Sequence, residues 1–435
     1  MWDWFLDLNV ANEPFLFTCW VLSAAIFIYL LGKRPTLKWA FGAFMAVFLG
    51  ALVGYAIVFV AVNVLDSFGG PVDDSVWIWV PAAFAGVLLA IANLWGSRWW
   101  RKLIAGIGAV VFVLTAVFSI NAAYGLTPTI GGLLHISTDK PIPIPTPPPT
   151  DAPDPAEPLY QTWQPPADLP AQGTTGLVQG GIPNTNSGFP ARPASIYLPP
   201  AALVENPPAL PLVIFMMGQP GDPDPQYIAA ALEPFAAKNK GLAPIALVID
   251  QLSDPSTDPL CLDTAQGKVE TYVMQDVVPW ARANLHVLNG PKFWTVAGYS
   301  NGGQCSLYFG SKYPEVFGDI LDISGEEYQG ADIADQVLQN TFNGDQAAYD
   351  AVKPTSIMAQ KGPYADTVAV FTVGGQDPGY IPGVQRNADA AKAAGMQVTY
   401  YEVPGAGHGG DALSGGLTEG FTILYPRLGL APPAG

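Results

Sequence analysis

The chain has 435 residues, half of them hydrophobic and only 13% charged, and its formal net charge is −17. That length is enough for more than one domain, and the acidic balance argues against a nucleic-acid partner, which needs a basic surface. Six basic and six acidic residues lie before residue 130, so the rest of the chain carries the whole net charge.

Four long apolar runs precede residue 130, and each can cross a hydrocarbon core of about 30 Å as a helix. They predict an all-α, four-span transmembrane domain over residues 1–130, which serves as an anchor or gives lipids lateral access. No charged residue lies inside a run, which argues against a channel or transporter. A cleavable signal peptide is the alternative for the first run, but acidic residues precede it and three runs follow. The runs are Phe15–Leu31, Trp39–Leu65, Val76–Leu94 and Leu103–Tyr124.

The charges between these runs predict an orientation in the plasma membrane. Basic residues lie only between runs one and two and between runs three and four, whereas acidic residues lie at the N-terminus and between runs two and three. The positive-inside rule then places the N-terminus and everything after residue 126 on the extracytoplasmic side. The basic residues are Lys33, Arg34, Lys38, Arg98, Arg101 and Lys102, and the acidic ones include Asp66, Asp73 and Asp74.

A proline-rich linker is predicted over residues 131–173. Its run Pro141–Thr150 favours polyproline II, a semi-rigid spacer, although a disordered tether is the alternative.

From residue 174 to 435, strand patterns alternate with helix patterns, which predicts a mostly parallel sheet flanked by helices. Residues 326–360 are expected to form short helices over the site. The strand candidates are Ala194–Leu198, Leu212–Met217, Ile245–Ile249, Trp294–Ser300, Asp319–Ile323, Val368–Gly374 and Val398–Val403. The helix candidates are Gln226–Lys238, Lys268–Leu285, Gly302–Tyr313, Val384–Ala394 and His408–Tyr425.

A G-x-S-x-G motif spans Gly298–Gly302, between a predicted strand and a predicted helix. In that setting the motif indicates a nucleophile elbow, a tight turn that exposes the hydroxyl of Ser300 above the sheet. A serine hydroxyl needs a neighbouring base to become a nucleophile.

Only three histidines are available, and His408 alone follows the last predicted strand, in a glycine-rich loop. We predict that His408 is the base, with a structural helix-capping role as the alternative. Asp377 follows the penultimate strand and fits the chain order Ser, Asp, His. It would orient the imidazole, although a plain Asp-Pro turn is the alternative, and Asp322 and Glu326 are weaker candidates for the acid.

The tetrahedral intermediate needs backbone N–H donors. We expect one from Asn301, next after the nucleophile, and one from Gln219, because Pro220 has no N–H. Cys261 and Cys305 both lie in the outward domain, where an oxidising compartment permits a disulfide; two free buried thiols are the alternative. The sequence shows no metal-ligand cluster and no cofactor motif.

The second domain resembles the esterase D and mycolyltransferase branch of the α/β-hydrolases of actinobacteria, over residues 174–425. The matching segments are Val213–Gly221, Cys261–Trp280, Gly298–Cys305, Ser324–Gly325 and Gly405–Gly410. Four spans and a proline-rich link are also similar to a membrane-bound esterase subgroup of actinobacteria. The resemblance implies an α/β-hydrolase fold and a serine hydrolase that acts on acyl esters.

The leading hypothesis is a membrane-tethered serine esterase that cleaves acyl esters, in particular those of envelope lipids. The alternatives are an acyltransferase that uses a sugar or lipid acceptor and a non-catalytic envelope binding module. A narrower version is hydrolysis of aminoacyl esters of phosphatidylglycerol, because acidic residues could meet an α-ammonium group; a solvated acidic surface is the other interpretation. Those residues are Asp222, Asp224, Glu326 and Glu327.

Overall fold

The computed structural model describes residues 2–33, 36–65, 72–144 and 156–433. The chain forms two compact units, Met1–Thr138 and Asp139–Gly435. Outside the described ranges lie Arg34, Asp66 and residues 145–155 of the predicted linker. Residues 145–155 include most of the proline-rich run Pro141–Thr150.

The first unit is helical. Within the described residues, four helices are long and apolar enough to cross a membrane. Each begins a few residues before its apolar run, so that α5 includes Arg101 and Lys102. The helices are α1 Asp3–Leu6, α2 Glu13–Leu31, α3 Leu37–Asn63, α4 Asp74–Ala92, α5 Trp99–Tyr124 and α6 Ile130–Leu133.

Small residues and hydroxyl groups join the long helices. Helix α3 packs on α4, and α5 packs on both α4 and α2. Gly50 of α3 faces α4 so closely that an added Cβ would lie 2.5 Å from the carbonyl oxygen of Phe84. Between α2 and α5, the hydroxyls of Ser23 and Thr115 are 2.8 Å apart. Such close backbone contacts and interhelical hydrogen bonds are what hold helices together in lipid.

Arg101 donates hydrogen bonds to carbonyl groups at the C-terminal end of α2, the first long helix. Its Nη2 donates to the carbonyl oxygens of Tyr29 and Leu30, at 2.7 Å each, and its Nε donates to Asn93 Oδ1 at 2.8 Å. The last carbonyls of a helix have no partner within the helix. A basic residue that the charge pattern assigns to a loop therefore also caps a neighbouring helix.

The second unit is built on a nine-stranded sheet. The strand order is β1-β2-β3-β5-β4-β8-β9-β10-β11; β3 is antiparallel to both of its neighbours, and every other pairing is parallel. Strands β6 and β7 form a separate hairpin. The strands are β1 Pro141–Ile142, β2 Thr174–Val178, β3 Ser195–Leu198, β4 Leu212–Met216, β5 Ile245–Ile249, β6 Asp263–Thr264, β7 Gly267–Lys268, β8 Trp294–Tyr299, β9 Asp319–Ile323, β10 Val368–Gly374 and β11 Gln397–Val403.

The seven predicted strands are all present, and the mostly parallel sheet is confirmed. The sequence analysis did not predict β1, β2 or the hairpin, because their two to five residues carry no strong apolar pattern. Strand β1 lies within the predicted linker, at residues 141–142, and pairs with β2. That part of the predicted linker therefore belongs to the sheet of the second unit.

Helices flank the sheet, and one prediction needs correction. A single helix was expected over Lys268–Leu285, but residues Tyr272–Val277 form a π-helical segment between α9 and α10. Residues 326–360 do form short helices, α12 to α14. The helices of the second unit are α7 Leu159–Thr162, α8 Gln226–Lys238, α9 Val269–Thr271, α10 Val278–Asn284, α11 Asn301–Lys312, α12 Ala334–Asn340, α13 Gln346–Val352, α14 Pro354–Lys361, α15 Ile381–Ala393 and α16 Gly410–Arg427.

The central strands β4, β5, β8, β9 and β10 are buried along their whole length, as the apolar runs of a parallel sheet covered on both faces should be. Because β4, β8, β10 and β11 run in the same direction, the loops that follow them meet at one edge of the sheet.

The carboxyl group of Asp322 is buried in this core. Asp322, near the end of β9, is fully buried, and its Oδ1 accepts a hydrogen bond from the Gly325 N–H at 2.9 Å. Burial raises the pKa of Asp322 from 3.8 to about 7, and the hydrogen bond from Gly325 opposes that rise. The folded protein therefore holds this proton at pH values where the unfolded chain has released it.

We expect Gly50→Ala to lower the melting temperature of the full chain in detergent, because the added methyl group would overlap α4. Overpacking of this kind costs about 1–3 kcal/mol. The matched control is Gly42→Ala on the same helix, where an added Cβ meets nothing within 4 Å. Equal melting temperatures for the two variants would contradict the close packing of α3 on α4.

We expect Asp322→Asn to remove a pH dependence of stability. Between about pH 4 and pH 7 the unfolded chain binds fewer protons at this position, so wild-type stability falls as pH rises and then levels off. The neutral amide has no such loss. The unfolding free energy of the variant relative to wild type should therefore increase across that window, by up to about 4 kcal/mol, and its melting temperature relative to wild type should rise accordingly. Asp389→Asn, at an exposed position on α15, is the control; a pH-independent difference for Asp322→Asn would contradict the expectation.

Candidate active site

Ser300 lies in a tight turn between β8 and α11. Its backbone has φ 55° and ψ −119°, a region that costs a non-glycine residue of order 1–3 kcal/mol. The Ser300 N–H donates to the carbonyl oxygen of Ile323 at 2.8 Å, and its carbonyl oxygen accepts from the Gln304 N–H at 3.0 Å. The turn is therefore tied to the neighbouring strand β9 and to its own helix.

The two glycines of the motif are needed because backbone segments cross here. A Cβ at Gly298 would overlap the carbonyl oxygen of Gly302, and a Cβ at Gly302 would overlap the carbonyl oxygen of Met216 at the end of β4. Strand β8, helix α11 and strand β4 thus meet with no room for side chains. This crowding fixes where the Ser300 side chain emerges.

His408 joins Ser300 to Asp377. The Nε2 atom of His408 lies 3.0 Å from Ser300 Oγ, and its Nδ1 atom lies 2.8 Å from Asp377 Oδ2. The side chain of Asp377 is 6% exposed and that of His408 is 26% exposed. The three residues predicted from chain order therefore form one hydrogen-bonded line, the arrangement of a nucleophile, a base and a residue that orients the base.

Backbone hydrogen bonds hold the acid and base loops together. The Gly375 N–H donates to the carbonyl oxygen of Val403 at 2.9 Å, and the Gln376 N–H donates to that of Ala406 at 2.8 Å. A Cβ at Gly374 would overlap the carbonyl oxygen of Gly407. The loops after β10 and β11 therefore form one backbone unit that carries both Asp377 and His408.

The loop after β4 lies against the nucleophile. A Cβ at Gly218 would be 3.0 Å from the Cβ of Ser300, so the backbone that leads into Gln219 passes beside the hydroxyl-bearing side chain. The Gln219–Pro220 peptide bond is cis. Asn301 is the first residue of α11. The two predicted N–H donors thus stand on the two segments that flank Ser300.

Two polar side chains that the sequence analysis did not select support these segments. The amide of buried Gln251 donates to the Met217 carbonyl oxygen at 2.5 Å and to Asn301 Oδ1 at 3.0 Å, so it links both segments. Arg192 donates to the Gly221 carbonyl oxygen at 2.9 Å and forms ion pairs with Asp222 and Asp250. Neither residue belongs to a motif, and only the folded backbone reveals these contacts.

The weaker candidates for the acid take other positions. The His408 ring is hydrogen-bonded to Asp377 and not to Asp322 or Glu326. Burial, and then the charges of Asp258 and Asp332, raise the pKa of Glu326 well above its usual value. The other two histidines are not part of this line of residues. Among the described residues, no group of three or more His, Cys, Asp or Glu is arranged to hold a metal ion.

A disulfide joins Cys261 to Cys305, with a Cα–Cα distance of 5.6 Å. Both cysteines are buried, and Cys305 lies one turn into α11, four residues after Asn301. The bond therefore links the nucleophile helix to the loop that precedes the β6–β7 hairpin. Cys19, in the first unit, is unpaired.

Comparisons with known proteins agree with this fold. Residues 192–397 match the family model "Esterase: Putative esterase". An "Uncharacterized protein" of Corynebacterium glutamicum is 29% identical over 397 residues, which is 88% of this chain and 90% of that protein. The alignment is longer than the second unit alone, so it extends into the first.

Two solved structures are similar to part of the chain. A ferulic acid esterase shares 12% identity, with a TM-score of 0.48 over 59% of this chain and 99% of that one. An S-formylglutathione hydrolase from Agrobacterium tumefaciens shares 15% identity, with a TM-score of 0.47 over 60% of this chain and 98% of that one. The sheet order and the serine turn are those of an α/β-hydrolase fold in the second unit. Together with the family match over residues 192–397, they support a serine hydrolase of the esterase type.

Proposed function

We propose that the chain is a membrane-anchored, extracytoplasmic serine esterase in which Ser300 is the nucleophile, His408 the base and Asp377 the residue that orients the base. The observation that carries this proposal is the continuous hydrogen-bonded line from Ser300 Oγ through the imidazole to Asp377 Oδ2. The four apolar helices of the first unit would anchor the enzyme in the plasma membrane.

The geometry fits acyl transfer through a covalent intermediate. Ser300 Oγ gives its proton to His408 Nε2 and attacks the ester carbonyl carbon, and the carbonyl oxygen becomes an oxyanion. The N–H groups of Gln219 and Asn301 are the proposed donors to that oxyanion. His408 then protonates the departing alkoxide, which leaves as an alcohol. In the second half, water attacks the acyl-enzyme, gives a proton to His408, and releases the acid and Ser300.

The proposed substrates are acyl esters of cell-envelope lipids, since an anchored enzyme meets its substrate at the membrane surface. The narrower proposal, aminoacyl-phosphatidylglycerol, needs carboxylates for the ammonium group. Asp222 is paired with Arg192, and Glu327 is paired with Arg386 at 2.5 Å. Among the described residues, Glu326 Oε2 is buried and has no hydrogen-bond partner. Asp224 Oδ1 accepts a hydrogen bond from the Gln226 N–H at 2.8 Å. Glu326 is therefore the member of this set whose unpartnered oxygen could meet an ammonium group, and that positive charge would favour its ionised form over the neutral one that burial favours.

Ser300→Ala should abolish hydrolysis of p-nitrophenyl esters by the full chain in detergent, with kcat lower by about 10⁴-fold or more. Asp377→Asn should lower kcat by up to about 10⁴-fold, because the amide would no longer hold the imidazole in the required tautomer. Ser414→Ala, at an exposed position on α16, is the matched control and should keep wild-type activity. Equal rates for wild type and Ser300→Ala would show that Ser300 is not the nucleophile.

Free acid as the product indicates hydrolysis, whereas an acylated sugar or lipid indicates transfer.

The proposed sidedness predicts that Ser300 reacts with a membrane-impermeant fluorophosphonate in intact cells that express the chain. Labelling should be as strong in intact cells as in permeabilised ones, and absent in the Ser300→Ala variant. A cytoplasmic serine hydrolase serves as the control for leakage. Labelling that requires permeabilisation would place the second unit in the cytoplasm and contradict the orientation.

A further inference from the structure

Gln251 stands in a loop that a buried carboxylate holds in place. It is the second residue after β5, and it follows Asp250 directly. The two carboxylate oxygens of Asp250 accept hydrogen bonds from the backbone N–H and from Nη2 of Arg192, both at 2.7 Å. They also accept from the N–H groups of Leu252 at 3.1 Å and Ser253 at 3.0 Å. The backbone on either side of Gln251 is therefore fixed by charge-assisted hydrogen bonds.

The side-chain amide of Gln251 has a defined orientation. Gln251 is 2% exposed, and its Nε2 lies 2.5 Å from the Met217 carbonyl oxygen and 3.0 Å from Asn301 Oδ1. A backbone carbonyl accepts hydrogen bonds and cannot donate, so the Gln251 atom that faces Met217 is the amide nitrogen. The Asn301 atom that faces this nitrogen is then an acceptor, its Oδ1. The amide nitrogen of Gln251 therefore donates to both segments.

The two acceptors of Gln251 belong to the segments that carry the proposed oxyanion donors. Met217 lies two residues before Gln219, in the loop that passes beside the nucleophile. Asn301 carries the other proposed donor on its own backbone, so the hydrogen bond to its side chain acts on the donor residue itself. One side chain from the loop after β5 thus links the loop after β4 to the first residue of α11.

We propose that Gln251 is a positioning residue of the oxyanion hole, whose side-chain amide sets the distance between the N–H groups of Gln219 and Asn301. The proposal rests on the esterase function proposed above. Gln251 acts through these two donors, because its hydrogen bonds end on their segments and not on Ser300 or His408.

The two N–H groups stabilise an oxyanion only if both lie about 2.7–3.1 Å from the position that the charged oxygen takes in the transition state. Without the Gln251 amide, the carbonyl oxygen of Met217 and the Oδ1 of Asn301 lose a buried partner, and each segment is free to move toward another donor. A displacement of about 1 Å is enough to cost about 100-fold in rate. The loss falls on kcat rather than on KM, because the oxygen becomes charged only on the way to the tetrahedral intermediate.

The test is Gln251→Met in the full chain in detergent, which keeps the length of the side chain and removes both amide N–H groups. We expect kcat on p-nitrophenyl esters, per active site counted by fluorophosphonate titration, to fall about 10- to 100-fold with KM unchanged. The affinity for phenylboronic acid should weaken by a similar factor, because its tetrahedral adduct with Ser300 places an oxygen in the oxyanion hole. A purely structural loss would lower the number of titrated sites and leave the rate per site unchanged.

Two further variants serve as control and cross-check. Tyr364→Phe removes another buried hydrogen bond, from its hydroxyl to the Ser311 carbonyl oxygen at 2.7 Å near the far end of α11. It should lower the melting temperature and keep wild-type kcat. Asn301→Ala removes the acceptor of Gln251 and keeps the backbone donor, so it should also lower kcat. Because both changes break the same hydrogen bond, Gln251→Met and Asn301→Ala together should lose less than the product of their separate losses.

The outcomes separate the two proposals. If wild type hydrolyses esters but Gln251→Met has wild-type kcat per titrated site, with or without a raised KM, the role of Gln251 is overturned and the esterase function stands. A lower kcat with unchanged affinity for phenylboronic acid would also overturn it. If Gln251→Met does not fold, Asn301→Ala decides, and wild-type kcat in that variant overturns the inference. If wild-type Ser300 reacts with neither ester nor fluorophosphonate, both proposals fail.

Discussion

The crowding of backbone between β4, β8 and α11 is the constraint on which the site depends. Ser300 occupies a backbone region that is unfavourable for a residue with a Cβ, and it does so because Gly298 and Gly302 let three segments meet without side chains. Its strain is offset by the hydrogen bond to Ile323 and by the buried strands on either side. The position of Ser300 Oγ in this turn determines where His408, and through it Asp377, must lie. The surrounding strands and helices therefore hold one turn in place.

The sequence predicted the parts of the site that local chemistry determines. A serine turn needs glycine, so the motif around Ser300 was visible in the printed sequence, and the chain order of Asp377 and His408 followed from the strands that precede them. Parallel strands place their following loops at one edge. The long buried strands were equally visible, because a strand covered on both faces requires a continuous apolar run.

The parts that sequence patterns could not predict depend on contacts between distant segments. The edge strand β1 and its neighbour β2 are short, and they are held in the sheet by strand pairing rather than by apolar content. Gln251 acts through hydrogen bonds to Met217 and Asn301, which lie 34 and 50 positions away. The π-helical turn at Tyr272–Val277 interrupts a helix whose composition gives no sign of it. None of these features has a sequence periodicity, and each is evident only in the folded chain.

The shared backbone of the acid and base loops has a consequence for how this scaffold can diversify. Because the loop after β10 is hydrogen-bonded to the loop after β11, lengthening either one would displace the carboxylate and the imidazole together. A change of substrate preference in this scaffold would therefore have to arise in segments other than these two loops. Asp377 and His408 would keep their relative positions as one unit, whereas the surface that contacts the substrate could change independently of them.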